Sequence, residues 1–225
     1  MKAPLWKKLV SYFYEFLIES TSSDYNPHLY VCLTRGRYQL CTENAIYSFS
    51  DKYDNFLDTF KRIDLDSLPG KDVLILGFGM GSIPIILERV FEKEYHYTGV
   101  EIDEVVLDLF TRFELPNINS QVELVCADAA IWVALSERKF DLILVDLFLD
   151  DVIPDKFEQQ DFLRNVQNLI KPGGTMLYNR LASTKHDIET AQNFYDQKFK
   201  PVFKNGSYLK VNGNWMLIND EKLIR

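Results

Sequence analysis

From Pro69-Gly70 onward the chain alternates two hydrophobic rhythms, and that alternation restricts its fold more than any other feature. The continuous apolar runs are DVLILGF (72–78), YHYTGVEI (95–102), VELVCAD (122–128), FDLILVDLF (140–148) and GTMLYNRL (174–181). Runs apolar on both faces are strands of a buried parallel sheet. Between them Ile83, Ile86, Leu87 and Val90 share a helical face, as do Val106, Leu109, Phe110 and Phe113, then Phe162, Val166 and Leu169. Strand and helix in strict alternation specify an α/β doubly wound sheet with right-handed crossovers.

The last forty residues break the rhythm. After a helix expected around Asp187 to Lys198, PVFKNGSYLKV and NWMLIND read as two strands joined at Asn212-Gly213, a type I′ hairpin signal. A closing antiparallel hairpin is what separates a class I methyltransferase-like (Rossmann-like) sheet from a dinucleotide-binding one. Ahead of the alternation, residues 1–66 form an annex distinct from the α/β domain expected over 67–225. Trp6, Leu9, Val10, Phe13, Phe16 and Leu17 fit one face of an amphipathic helix, and LYVCLT, RYQLCT and AIYSF are short strands separated by turns at Arg35-Gly36 and Glu43-Asn44. Asp51 to Ile63 reads as a further helix. The apolar first helix and the β annex are natural surfaces for a homodimer.

Charge narrows the function. Against 25 Lys and Arg stand 33 Asp and Glu, a formal net charge of -8 in 225 residues. Nucleic-acid binding is carried by clustered Lys and Arg, so the balance argues against it and for a small, cationic partner. Lys7, Lys8 and Glu15 interrupt the apolar start, which argues against a leader or membrane reading of that segment, and a cytoplasmic protein is expected. Cys32, Cys41 and Cys126 have no metal-ligand spacing and read as inert core thiols, while His28, His96 and His186 are too scattered for a metal or a nucleophile–base pair.

Chemistry is concentrated at the ends of the apolar runs. Val73 to Pro84 is a strand entering a glycine-rich turn, Gly77-Phe78-Gly79-Met80-Gly81, and then a helix for which Ser82 is the expected N-cap. Glycines let such a turn tighten and bring backbone N–H groups to a ligand. The nicotinamide and flavin pattern G-x-G-x-x-G is not met, because Ser82 stands where the third glycine belongs. Glu101 closes the second run at the distance from the turn where an acid accepts from ribose hydroxyls, with Ile102 beside it. Asp128 closes the third, with Ala129 and Ala130 leaving room for an adenine, and Asp146 closes the fourth. Any one of these is as readily a solvated loop acid or a helix cap. Three at successive strand ends face the crevice where open α/β sheets bind ligands.

Gly77 to Ser82, Val100-Glu-Ile-Asp-Glu104, Ala127-Asp128, Phe140 to Asp146 and Lys171-Pro-Gly-Gly174 resemble the successive motifs of class I S-adenosylmethionine-dependent enzymes, and more narrowly of the spermidine synthase (polyamine aminopropyltransferase) family. Glu43 to Tyr47 is similar to that family's annex hairpin. The resemblance implies an adenosyl cofactor held by Gly77, Phe78, Gly79, Gly81, Glu101, Ile102, Asp128, Ala129 and Asp146, with Glu101 on the ribose and Asp128 on the adenine. Asp146 takes the place of the acid that receives a proton from the attacking amine. Tyr47, Asp150 and Asp151 are the expected acceptor contacts. The departures are specific: Met80 stands where the family has the Asp that holds the transferred amine, Tyr47, Phe56 and Leu57 replace its Gln and Tyr-His pair, and Leu147 to Asp151 replaces its Asp-Pro.

The expectation that follows is a transferase using S-adenosylmethionine, or its decarboxylated form, on a small amine near Asp146. The substitution at Met80 favours methyl over aminopropyl transfer. A relative that binds adenosyl groups without catalysis is the alternative from another class. Asp150, Asp151, Asp155, Glu158 and Asp161 add a negative field that draws in an amine, or merely a solvated loop favouring the next helix N-terminus. Tyr38, Tyr47, Phe49, Tyr53 and Phe56 line a lid or fill the core between annex and sheet, the second being preferred.

Overall fold

The computed structural model describes residues 3–225, so Met1 and Lys2, the first two residues of the expected annex, lie outside the described residues. In chain order the elements of the front are α1 (Leu5–Val10), β1 (Phe16–Thr21), β2 (Leu29–Thr34), β3 (Arg37–Cys41), β4 (Ile46–Ser48) and α2 (Asp54–Phe60). The body follows with β5 (Asp72–Leu76), α3 (Ser82–Arg89), β6 (His96–Glu101), α4 (Glu104–Phe113), β7 (Val122–Cys126), α5 (Ala129–Leu135), β8 (Phe140–Val145), α6 (Gln160–Asn168), β9 (Ile170–Leu181), α7 (Lys185–Phe194), β10 (Ser207–Val211) and β11 (Asn214–Ile218).

The expected class I sheet is present. Its seven strands run β10-β11-β9-β8-β5-β6-β7, parallel from β9 to β7, with β11 antiparallel to both its neighbours. Val73, Leu74, Ile75 and Leu76 of β5 and the facing residues of β8 are fully buried, which is why both strands are unbroken apolar runs. Asn212 and Gly213 have φ of 44° and 77°, the two left-handed residues that a type I′ turn requires. Strand order reverses between β5 and β8. The carboxyl ends of those two strands therefore define the crevice of an open α/β sheet.

The front is a four-stranded antiparallel sheet, β1-β2-β3-β4, and not a helix followed by three strands. The helix expected through Leu17 stops at Val10, and Phe16 to Thr21 pairs with β2 instead. Helical and alternating patterns overlap there, because Phe16 and Ile18 turn inward while Leu17 stays exposed. The unpaired backbone of the β2 edge decides in favour of the strand. Leu29, Val31, Leu33, Tyr38 and Leu40 join Phe110, Phe113, Met80 and Ile83 in one apolar cluster, so annex and sheet share a core. Phe56 and Tyr38 are buried in the same cluster, whereas Tyr47, Phe49 and Tyr53 line the space over the carboxyl ends of the strands, so the core reading holds for two of the five annex aromatics. The cysteines do not behave alike: Cys32 is buried and its thiol pushed up to about 12 by burial, whereas Cys126 is exposed. No described helix is long and apolar enough to cross a membrane.

Candidate active site

The glycine turn is shaped by what it must pass. Gly77, at φ +81°, lies where an added Cβ would stand 2.1 Å from the carbonyl oxygen of Asp146, so the end of β5 can cross the end of β8 only without a side chain. At Gly81 a Cβ would meet the Phe110 ring at 2.6 Å. Phe78 packs edge-on against Phe110 with centroids 4.8 Å apart. Phe78 and Gly81 therefore anchor the turn to the core and do not line the crevice, in contrast to the cofactor contact expected of both. Met80 likewise buries its side chain in the core, and its N–H donates to Ser48 Oγ at 3.1 Å. Ser82 is the first helical residue and not the cap. Its hydroxyl meets Ser48 Oγ at 2.9 Å and accepts the Phe49 N–H at 2.8 Å, fastening annex to sheet.

Gly77, Gly79, Glu101, Ile102, Ala129 and Asp146 do face one common space, a cleft of about 1270 Å³ between the carboxyl ends of the strands and the annex. Glu101 accepts the Gly79 N–H on Oε2 at 3.0 Å and the Ile102 N–H on Oε1 at 2.9 Å. Burial pushes its carboxyl up, and those amides pull the other way. Asp146 is fixed at the start of its loop by its own N–H donating to Leu76 O at 2.8 Å. Its Oδ1 accepts from Asn179 Nδ2 at 2.8 Å and its Oδ2 from the Tyr53 hydroxyl at 3.0 Å. Burial, with the Glu101 charge adding to it, pushes Asp146 up to about 6 against those two donors. Burial and the Asp146 charge together hold the Tyr53 phenol well above its usual range.

Asp128 has a different environment. Its Oδ1 caps α5 by accepting the N–H groups of Ala130 and Ile131 at 2.8 and 3.3 Å, and its Oδ2 is paired with Lys156. Burial raises the Asp128 carboxyl, but Lys156 and the helix amides outweigh it, leaving the group below its ordinary value. The acceptor contacts expected at the mouth also separate. Both oxygens of Asp150 are taken by the annex turn: Oδ1 accepts from Thr42 Oγ1 at 2.5 Å and Asn44 N at 3.1 Å, and Oδ2 from Asn44 Nδ2 at 2.6 Å. Its N–H donates to the Tyr47 hydroxyl, which itself donates to Asn26 Oδ1 at 3.0 Å. Tyr47, Asp150 and Asp151 all line the cleft, the first two held as clasps between annex and sheet and Asp151 exposed at the mouth. The acidic field is weaker than the sequence implies, since Glu158 is paired with Arg180 at 2.5 Å and Asp161 with Arg164 at 3.3 Å.

Several lining residues have no counterpart in the sequence reading. Asn26 donates to Asp103 Oδ2 at 2.9 Å and ties the loop after β1 to the end of β6. Asn179, on β9, was legible as a polar residue inside the apolar run GTMLYNRL. Asn214 donates to Asn179 Oδ1 at 2.8 Å and had no local signal. Of the histidines, His186 lines the cleft, whereas His96 lies 3.5 Å from Asp72 at the amino ends of the strands, opposite the cleft.

Sheet order, glycine turn and strand-end acids together define a class I methyltransferase-like fold. The family model described as the spermine/spermidine synthase domain matches residues 62–212, and the chain belongs to that family. A probable polyamine aminopropyl transferase of Bifidobacterium longum is 35% identical over 142 residues, 62% of this chain and 30% of the relative. A polyamine aminopropyltransferase of Vibrio vulnificus is 32% identical over 155 residues, 65% of this chain and 49% of the relative. The chain thus spans less than half the length of these curated relatives. Among solved structures, spermidine synthase from Thermotoga maritima superposes with a TM-score of 0.66 at 17% identity, covering 90% of this chain and 71% of that one. Human methyltransferase-like protein 13 in complex with SAH gives 0.58 at 20% identity, covering 74% and 79%. These two likenesses concern the fold.

Proposed function

We propose that the protein transfers an aminopropyl group from decarboxylated S-adenosylmethionine to a small amine, with Asp146 as the proton acceptor. The observation that carries this reading is the pair of partly buried acids Glu101 and Asp146, which face one cleft with only neutral donors on their oxygens. Two such acids favour a positively charged ligand beside them, as both a sulfonium and an ammonium are. Family membership and polyamine-transferring relatives support aminopropyl over methyl transfer. The cleft's cations do not separate the two donors: Lys156 and Arg180 are paired with Asp128 and Glu158, but Arg180 Nε and Nη1 are buried without a hydrogen-bond partner and Lys52 also lines the cleft.

The residues fit an adenosyl group. Gly77 and Gly79 offer backbone without side chains, Glu101 keeps acceptor capacity on Oε2 for a ribose hydroxyl while Oε1 takes the Ile102 and Asp103 N–H groups, and Ala129 leaves space beside Asp128 for the adenine. An adenosyl sulfonium supplies a carbon already activated toward an amine, with a neutral thioether as the leaving group. Asp146 receives the proton the amine sheds, an effect worth roughly 10²- to 10⁴-fold in rate. Tyr53 and Asn179 hold the carboxylate still while it does so, and the annex excludes water above it.

Methyl transfer keeps one observation in its favour, Met80 at the position where the family holds the transferred amine. Mass spectrometry after incubation with linear di- and triamines decides between them. A product heavier by one aminopropyl group, formed with the decarboxylated donor, is expected. A product heavier by one methyl group, formed with S-adenosylmethionine, overturns the reading. Tight donor binding by calorimetry without any product identifies a non-catalytic binder.

A further inference from the structure

Asn179 is 1% exposed, and a buried amide in that position needs a partner for its carbonyl as well as for its N–H₂. Its N–H₂ donates to Asp146 Oδ1 at 2.8 Å, and its carbonyl oxygen accepts from Asn214 Nδ2 at 2.8 Å. Asn214 is the first residue of β11, directly after the hairpin turn, and Leu181 of β9 is its strand partner. The three side chains form a directional chain from the closing hairpin to the strand-end acid. Turned over, Asn179 would set its carbonyl against the Asp146 carboxylate, acceptor against acceptor, and its N–H₂ against that of Asn214.

We propose that Asn214 is a positioning residue for Asp146: by donating to Asn179 it fixes the orientation in which Asn179 presents hydrogens, not a lone pair, to the carboxylate. The antiparallel hairpin thereby does more than close the sheet. It supplies the outer link of a relay that keeps Asp146 aimed and ionised at neutral pH. The inference rests on the reading of Asp146 as the proton acceptor, but its physical core, the titration of one carboxyl, does not need that reading to be true.

The titratable groups facing Asp146 are Glu101 at the end of β6, which raises it, and Tyr53 ahead of α2, which donates to it. Neither touches Asn214. Removing the Asn214 amide therefore acts on Asp146 through Asn179 alone. The test is ¹³C NMR of the aspartate side-chain carboxyls across pH, with the Asp146 signal assigned by its absence in Asp146→Asn. Asn214→Leu is expected to shift the Asp146 midpoint upward by roughly one pH unit, the scale of a hydrogen bond to a charged group. Asn214→Gln, which keeps a donor, is expected to restore most of that shift. Asn214→Val, suited to a strand, gives a second amide-free variant should the leucine variant fail to fold.

An unchanged midpoint in a folded amide-free variant overturns the proposal. If the midpoint moves, the acid limb of kcat/KM with an amine acceptor is expected to move with it while the rate at high pH is retained. A moved midpoint in a protein that transfers nothing to any amine leaves the relay standing and removes the transferase reading.

Discussion

Past the ends of β7 and β8 stand two aspartates in opposite electrostatic states, and only the second lines the cleft. Asp128 caps a helix and is paired with Lys156, so its carboxyl sits below its ordinary value. Asp146 has no cation, accepts from an amide and a phenol, and is raised to about 6 by burial. One acid is neutralised before any ligand arrives. The other retains its charge imbalance, and a positively charged group relieves it. Position at a strand end is therefore not a role, because partners decide whether a carboxylate holds the fold or does chemistry.

That contrast is broken most directly at Asp146. Asp146→Asn is expected to lower the rate of amine transfer by about 10²- to 10⁴-fold while weakening the cationic donor far less, because Glu101 keeps its charge, measured by single-turnover kinetics beside calorimetry. The same change is expected to stabilise the fold at pH 8. A carboxyl whose folded value is raised binds its proton more tightly in the folded than in the unfolded chain. Its ionisation therefore costs stability as pH climbs from about 4 to about 6, and the cost persists above that window. The gain at pH 8, on the order of 1–3 kcal/mol, disappears below about pH 4 in paired urea titrations. Loss of stability in the asparagine variant at pH 8 would show instead that the carboxylate supports the fold.

A middle-sized effect is expected at the annex clasp. Asp150→Ala removes the acceptors of Thr42 and Asn44 and should cost on the order of 1 kcal/mol by thermal unfolding, with weaker acceptor binding as the mouth loosens. An unchanged melting point would return Asp150 to the acceptor site that its sequence position implied. Lys156→Ala is the smallest: an exposed pair contributes below about 1 kcal/mol. Its removal frees Asp128, so adenosine-bearing ligands are expected to bind a few-fold more tightly by calorimetry. Unaltered affinity would leave Asp128 as a helix cap and nothing more.

Much of the body was readable in the residues because parallel strands buried on both faces leave unbroken apolar runs, and their carboxyl ends are marked by where those runs stop. Gly77, Glu101, Asp128 and Asp146 were found in that way. The annex was read less well. Phe16 and Leu17 satisfy a helical and an alternating pattern alike, and the choice between them lies in an open strand edge contributed by Leu33 and Cys32, seventeen and fifteen positions further on. Phe78 looked like a ligand contact because it sits between glycines, whereas the packing that turns it inward comes from Phe110.

By itself the sequence determined the alternation of strands and helices from β5 onward, the antiparallel close and the placing of three acids at strand ends, since all of these follow from local periodicity and turn chemistry. The tertiary structure alone decided which acid is paired and which is not. Lys156 reaches Asp128 across 28 positions, and Tyr53 and Asn179 reach Asp146 across 93 and 33. The charge state of a carboxylate depends on what surrounds it in space, and no spacing along the chain encodes that.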